Sequence, residues 1–183
     1  MSDLIHELIT NGAQTSSEAT ALLFKDQNLS YAQLKDEVDS VAGGLLALGI
    51  TAEERIAVYL PKQPETVFGL FGAAASGACF VPVNPLLKPR QVAYILAHCN
   101  VRVLITSGQR AKLLEDVLES CPDLHTIVVV EEQVPELGPD FPKTVVSYPS
   151  FVGVPEGRIP HRRIDTDMAA ILYTSGSTGQ PKG

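Results

Sequence analysis

Apolar positions recur along this chain in two rhythms, and the alternation between them predicts its elements. Leu34, Val38, Val41, Leu45 and Leu48 fall at three- and four-residue steps, which gathers them on one face of a helix. Ser30 with Gln33 three residues on is a capping box that starts this helix, and Gly49 is the residue type that favours its end. Ahead of it, Ala21-Leu22-Leu23-Phe24 and Leu29-Ser30-Tyr31 flank the polar turn Lys25-Asp26-Gln27-Asn28, which reads as a hairpin. A strand over residues 55–60, a helix opening at Pro64 and a second strand with its exit loop over 80–85 follow. The next helix opens at Pro89, a favoured first position, and runs to about His98. Residues 102–106 read as a strand. Residues 108–119 read as an amphipathic helix with Leu113, Leu114, Val117 and Leu118 on one side. The β-branched run 126–130 has the continuous apolarity of a strand covered on both faces. Residues 131–166 break the rhythm with repeated prolines and glycines and only weak signals such as Thr144-Val145-Val146, so they predict an irregular connection. A short apolar run over 168–173 then predicts a final strand. Strands alternating with helices predict an α/β fold, a mostly parallel sheet flanked by helices.

Composition narrows this picture. A chain of 183 residues can bury a sizeable core and reads as one domain. Residues 67–83 carry no charge, at the lower edge of a membrane span. Their glycines and Pro82 divide the stretch into a buried helix and a core strand, so no stable membrane insertion is predicted. A net charge of −7 argues against nucleic-acid or anionic-membrane binding. Cys79, Cys99 and Cys121 show no metal-ligand spacing and read as buried thiols in a reducing compartment. The start Met1-Ser2-Asp3 lacks a secretory pattern, and together these features predict a cytoplasmic protein. His98 reads as a helix-end residue that suits the dipole, and His161-Arg162-Arg163 as a solvated basic loop. Lys62 and Lys88 follow strands, on the edge where α/β proteins place ligands, but nothing assigns either a role.

The candidate chemistry lies at the end of the chain. Residues 173–183 read Tyr-Thr-Ser-Gly-Ser-Thr-Gly-Gln-Pro-Lys-Gly, directly after the apolar run. Glycines let backbone amides approach an anion, hydroxyls add donors, and an ammonium supplies a compact positive charge. The common P-loop is excluded, because Pro181 precedes Lys182 and Gly183 follows it where a magnesium-binding hydroxyl belongs. The dinucleotide fingerprint fails as well, since position 174 holds Thr rather than Gly. A flexible linker would require neither the apolar run before it nor the Pro-Lys-Gly after it.

All eleven positions agree with the signature run of the adenylate-forming superfamily, which the chain resembles. That superfamily comprises acyl-CoA synthetases, peptide-synthetase adenylation domains and luciferase-like ligases. The Leu29-Ser30-Tyr31 helix entry and Phe80-Val81-Pro82-Val83-Asn84-Pro85 also resemble it. Further wording through Lys88-Pro89 and His98-Cys99-Asn100-Val101-Arg102 is similar to AMP-forming acyl-CoA ligases of bacterial exosortase-associated clusters. The resemblance implies a ligase that joins a carboxylic acid to ATP as an acyl-adenylate and passes it to a thiol. ATP, Mg2+ and coenzyme A are the implied cofactors, a carrier-protein thiol is the alternative acceptor, and fatty acid metabolism is an implied setting. It places ATP-phosphate contacts at Thr174, Ser175, Gly176, Ser177, Thr178, Gly179 and Lys182. It also implies that residues 1–183 are the first part of a longer AMP-binding domain. The catalytic lysine, the metal ligand and the C-terminal lid domain would then lie beyond Gly183, and no catalytic residue is assigned on this chain. Two alternatives stay open, a peptide-synthetase adenylation domain and a non-catalytic shortened product or interaction module. The 183 residues alone are expected to lack ligase activity.

Overall fold

The structure is a computed structural model and describes residues 4–152, 160–174 and 182–183. Helix α1 (Glu7–Ser16) leads into the predicted hairpin, β1 (Thr20–Phe24) against β2 (Gln27–Ser30), antiparallel. The capping box forms as its residues dictate. The Gln33 amide donates to Ser30 Oγ at 3.3 Å, and the Ser30 amide donates to Gln33 Oε1 at 2.9 Å. It starts α2 (Tyr31–Ala47), whose Leu34, Val38, Val41 and Leu45 are buried as the spacing predicts. Leu48 departs from the stripe and is exposed, because it lies past the last turn, just before Gly49 at φ +79°.

Five parallel strands then make the main sheet: β3 (Arg55–Tyr59), β4 (Cys79–Pro82), β5 (Val101–Thr106), β6 (Thr126–Val129) and β7 (Thr144–Ser147). Their spatial order is β4-β3-β5-β6-β7. The helices between them are α3 (Pro64–Ser76), α4 (Pro89–His98) and α5 (Gly108–Leu114), with α6 (Tyr148–Val152) after β7. Parallel crossovers are right-handed, so reversing the direction of travel after β4 moves the following helices to the other face. Ile56, Val58, Val103, Ile105 and Val128 therefore pack with α2, α3 and α6 on one face. Ala57, Tyr59, Leu104, Ile127 and Val129 pack with α4 and α5 on the other. The central strands β3, β5 and β6 thus bury both rows of side chains, and a fully buried Leu or Ile is worth roughly 1.5–3 kcal/mol. The uncharged stretch 67–83 resolves into most of α3, its left-handed cap Gly77 at φ +90°, and β4. Among the described residues no helix is long and apolar enough to cross a membrane.

Four expectations change. The helix over 108–119 stops at Leu114 and tightens into a 3₁₀ segment, Glu115–Ser120. Leu114 and Leu118 are fully buried, whereas Leu113 is 61 % exposed, because the buried row steps from Ala111 to Leu114 to Leu118 and Leu113 lies to one side of it. The connection 131–166 contains β7 and α6, so the weak Thr144-Val145-Val146 signal was that of a short edge strand. Among the described residues the run 168–173 makes an isolated bridge rather than a strand: the Phe80 amide donates to Ala169 O and the Ile171 amide to Phe80 O, each at 3.0 Å. The basic stretch 161–163 is not uniformly solvated. Arg163 pairs with Glu53 and Asp167 at 3.4 and 3.3 Å, and His161 Nε2 lies 3.0 Å from Ile50 O.

Candidate functional site

An open parallel sheet usually binds ligands at the carboxyl ends of its strands, where the strand order reverses, here between β3 and β5. That crevice is filled by the chain itself. Thr106 Oγ1 donates to Tyr59 O at 2.9 Å, and Tyr59 Oη donates to Leu87 O at 3.0 Å. The Arg110 guanidinium lies 4.3 Å over the Tyr59 ring and donates to Pro85 O. Lys62 and Lys88 nearby are exposed, and among the described residues neither makes an ion pair.

The described phosphate candidates, Thr174 and Lys182, sit elsewhere, next to Tyr173 at the far end of α4. That helix runs back from the carboxyl edge, starting at Pro89 and burying Val92, Ala93, Ile95 and Leu96. Its carbonyl end is fixed from the start of β3. Arg55 Nε donates to Cys99 O at 2.5 Å, and Arg55 Nη2 donates to Asn100 O at 3.0 Å. These charged donors satisfy carbonyls that the last turn of a helix leaves unpaired. On the outer side of α4, Tyr94 and His98 are one turn apart, and their rings stack at 5.3 Å.

Tyr173, the residue before the Ser/Thr/Gly run, docks on this platform. Its hydroxyl and His98 Nδ1 are 2.5 Å apart, with the two rings edge-to-face at 5.9 Å. Burial, followed by the neighbouring Cys99 thiol, pushes the Tyr173 hydroxyl well above its usual range, so it keeps its proton. Burial likewise raises Cys99, Cys121 and Cys79, the last to about 11, and all three are free buried thiols as predicted.

Of the predicted phosphate contacts, Thr174 and Lys182 are brought together. The Thr174 amide donates to Lys182 O at 2.8 Å, and the Lys182 amide donates to Thr174 O at 3.0 Å. Ser175, Gly176, Ser177, Thr178 and Gly179 lie outside the described residues. The antiparallel pair closes the intervening segment at its base, and Lys182 is exposed there. Among the described residues no carboxylate pairs with its ammonium, which leaves that charge available to an anion. The Thr174 hydroxyl donates weakly to Lys182 O at 3.4 Å, and a hydroxyl beside an exposed ammonium is a pairing that suits a polyphosphate. Among the described residues no group of His, Cys, Asp or Glu gathers to hold a metal, so no magnesium ligand is assigned. The sequence reading missed the His98–Tyr173 contact. The available signal was the four-residue spacing of Tyr94 and His98 on the helix side opposite the buried stripe.

Comparison with known proteins gives a consistent picture. The sequence profile of the AMP-binding enzyme family matches residues 9–183. Crotonobetaine/carnitine–CoA ligase of Salmonella agona is 33 % identical over 172 residues, covering 91 % of this chain and 33 % of the ligase. Tyrocidine synthase 3 of Brevibacillus parabrevis is 29 % identical over 98 % of this chain, which corresponds to 2 % of that synthase. The anthranilate CoA ligase AuaEII, solved with anthranoyl-AMP, superposes with a TM-score of 0.83 at 28 % identity, over 98 % of this chain and 33 % of its own. The chain thus spans about a third of the length of the CoA ligases that it matches.

Proposed function

Because the chain belongs to the AMP-binding enzyme family, we propose that it forms the amino-terminal part of an ATP-dependent carboxylate ligase. This ligase makes an acyl-adenylate and then a thioester, with coenzyme A as the acceptor. The observation that carries the reading is the Thr174–Lys182 pair, which brings the two ends of the motif together with the exposed Lys182 beside the Thr174 hydroxyl. Likeness to two CoA ligases supports the thiol acceptor. A second reading, an adenylation domain that passes its product to a carrier-protein thiol, is favoured by the match to tyrocidine synthase 3 across 98 % of the chain.

In the first half-reaction a carboxylate attacks the α-phosphate of ATP and pyrophosphate departs. The carboxylate is already ionised at neutral pH, so no general base is needed. The task of the loop is to orient the β- and γ-phosphates and to neutralise charge on the departing pyrophosphate. Lys182 contributes an ion pair and Thr174 a hydroxyl donor, with hydroxyls or amides of Ser175, Ser177 and Thr178 completing the grip. Gly176 and Gly179 allow close backbone approach. Mg2+ would add further neutralisation, through residues outside those described.

ATP–pyrophosphate exchange by the intact ligase tests this reading. A hydrogen bond to a charged group is worth about 1.5–3 kcal/mol, so Lys182→Ala should lower kcat/KM for ATP roughly 10- to 150-fold. The KM for the carboxylic acid should stay nearly constant. An unchanged kcat/KM for ATP removes Lys182 from the phosphate site.

A further inference from the structure

The loop stem is held by contacts that belong to neither the loop nor the sheet. Tyr173 is gripped on two sides. On one, its hydroxyl meets His98 Nδ1 at 2.5 Å and its ring meets the imidazole edge-to-face. On the other, the ring lies flush on the backbone of Gly183, where an added Cβ would come within 2.8 Å of it. Gly183 follows Lys182, and Tyr173 precedes Thr174, so the two residues pressed together flank the hydrogen-bonded pair at the loop base. His98 is in turn held in place. Tyr94 stacks on its other side, and Arg55 ties down Cys99 and Asn100, the next two carbonyls of the chain. A continuous set of contacts therefore runs from β3 through the carbonyl end of α4 to the base of the loop.

We propose that His98 is a positioning residue for the phosphate loop, acting through Tyr173 to hold the Thr174–Lys182 stem closed against α4 before ATP arrives. The proposal rests on the ligase reading above and adds to it a residue outside the signature run. His98 touches no substrate. It lowers the ordering cost of binding by keeping the stem in its binding geometry, because part of the loop's conformational freedom is already removed. The hydroxyl of Tyr173 retains its proton, since burial and the adjacent Cys99 thiol disfavour the phenolate. In the tautomer protonated at Nε2, it donates to Nδ1. Asparagine places an acceptor near the position of Nδ1, whereas leucine fills the space without one.

The test uses the intact ligase and two readouts. The first is amide hydrogen exchange at Thr174 and Lys182 without nucleotide, and the second is KM and kcat for ATP in pyrophosphate exchange. An exposed neutral hydrogen bond corresponds to about a 2- to 12-fold effect. Accordingly, His98→Leu and Tyr173→Phe should each speed exchange at the two stem amides and raise the KM for ATP by that factor, with kcat and the KM for the acid little changed. The double variant should be no worse than either single one, and His98→Asn should restore most of the protection and of the KM. Additive effects in the double variant, or unchanged stem exchange in His98→Leu, overturn the proposal. So does a drop in melting temperature with no change in exchange or KM. Absence of pyrophosphate exchange in the unmodified protein overturns the ligase reading instead, and the exchange measurement without nucleotide still decides whether His98 holds the stem.

Discussion

Helices α2 and α3 cross at a glycine, and the substitution Gly72→Ala sets two well-measured effects against each other. Alanine is the better helix former by about 1 kcal/mol, so helix propensity alone predicts a more stable protein. The packing predicts the opposite. A Cβ on Gly72 would lie 2.4 Å from Val41 Cγ1, 2.6 Å from Val41 Cβ and 3.2 Å from Val38 O. Val41 is fully buried, and its Cβ is fixed to the helix backbone, so a rotamer change cannot clear the contact. Restoring ordinary contact requires the two helices to part by about 1 Å, which loosens Val38, Val41 and Leu45 together. Overpacking of this kind costs about 1–3 kcal/mol, and a clash with Cβ belongs at the upper end. The net expectation is a loss of roughly 1–2 kcal/mol, or about 3–6 °C in melting temperature for a chain of this size. Thermal unfolding followed by circular dichroism at 222 nm measures it directly. A melting temperature equal to or above that of the unmodified protein would show that propensity prevails and that the helices do not approach this closely.

Two further outcomes follow from the same structure. Leu114→Ala should cost about 2–5 kcal/mol by opening a cavity, while Leu113→Gln should stay within about 0.5 kcal/mol; equal costs would return Leu113 to the core. Glu54 bears on acid stability. Burial pushes its carboxyl up, but hydrogen bonds from Thr51 and Arg102 outweigh that and hold it below its ordinary 4.5. A depressed carboxylate stabilises the fold above its unfolded pKa and loses that contribution as pH falls through the folded one. The stability gap between the unmodified protein and Glu54→Gln should therefore be full at pH 7 and shrink below about pH 4.5. A gap that stays constant to pH 3 refutes this.

The sequence was most legible where local chemistry and burial agree. Ser30 and Gln33 cap α2 as their identities require, and β6 is buried at every position because both sides of it are covered. It was least legible where tertiary context decides. Leu113 and Leu114 are equivalent by composition, and only the rotation of the helix against the sheet, which turns Ala111, Leu114 and Leu118 inward, separates them. Thr144-Val145-Val146 is too short to announce a strand, yet an edge of β6 was waiting for it. Arg163 looked like a surface charge because its partners Glu53 and Asp167 include one more than a hundred residues away. The membership of the AMP-binding enzyme family could be read because the residues 173–183 spell out its signature run. The docking of Tyr173 on His98 could not, since it depends on where α4 ends relative to a segment 75 residues later.

The lone bridge between Phe80 and Ala170 has a consequence for the order in which the molecule assembles. The paired residues Arg55 and Cys79 in β3 and β4 are 24 positions apart, whereas Phe80 and Ala170 are 90 apart. Closing the longer span costs about 1 kcal/mol more in chain entropy, since the penalty grows with the logarithm of length. Among the described residues two backbone hydrogen bonds join this pair, against a whole ladder for β3 and β4. The segment that carries the loop is therefore the costlier one to close and is expected to join after β3 and β4 have paired. It settles onto a sheet whose nearer pairings are already made, so errors in seating it leave the scaffold intact, while errors in the scaffold leave it nowhere to settle.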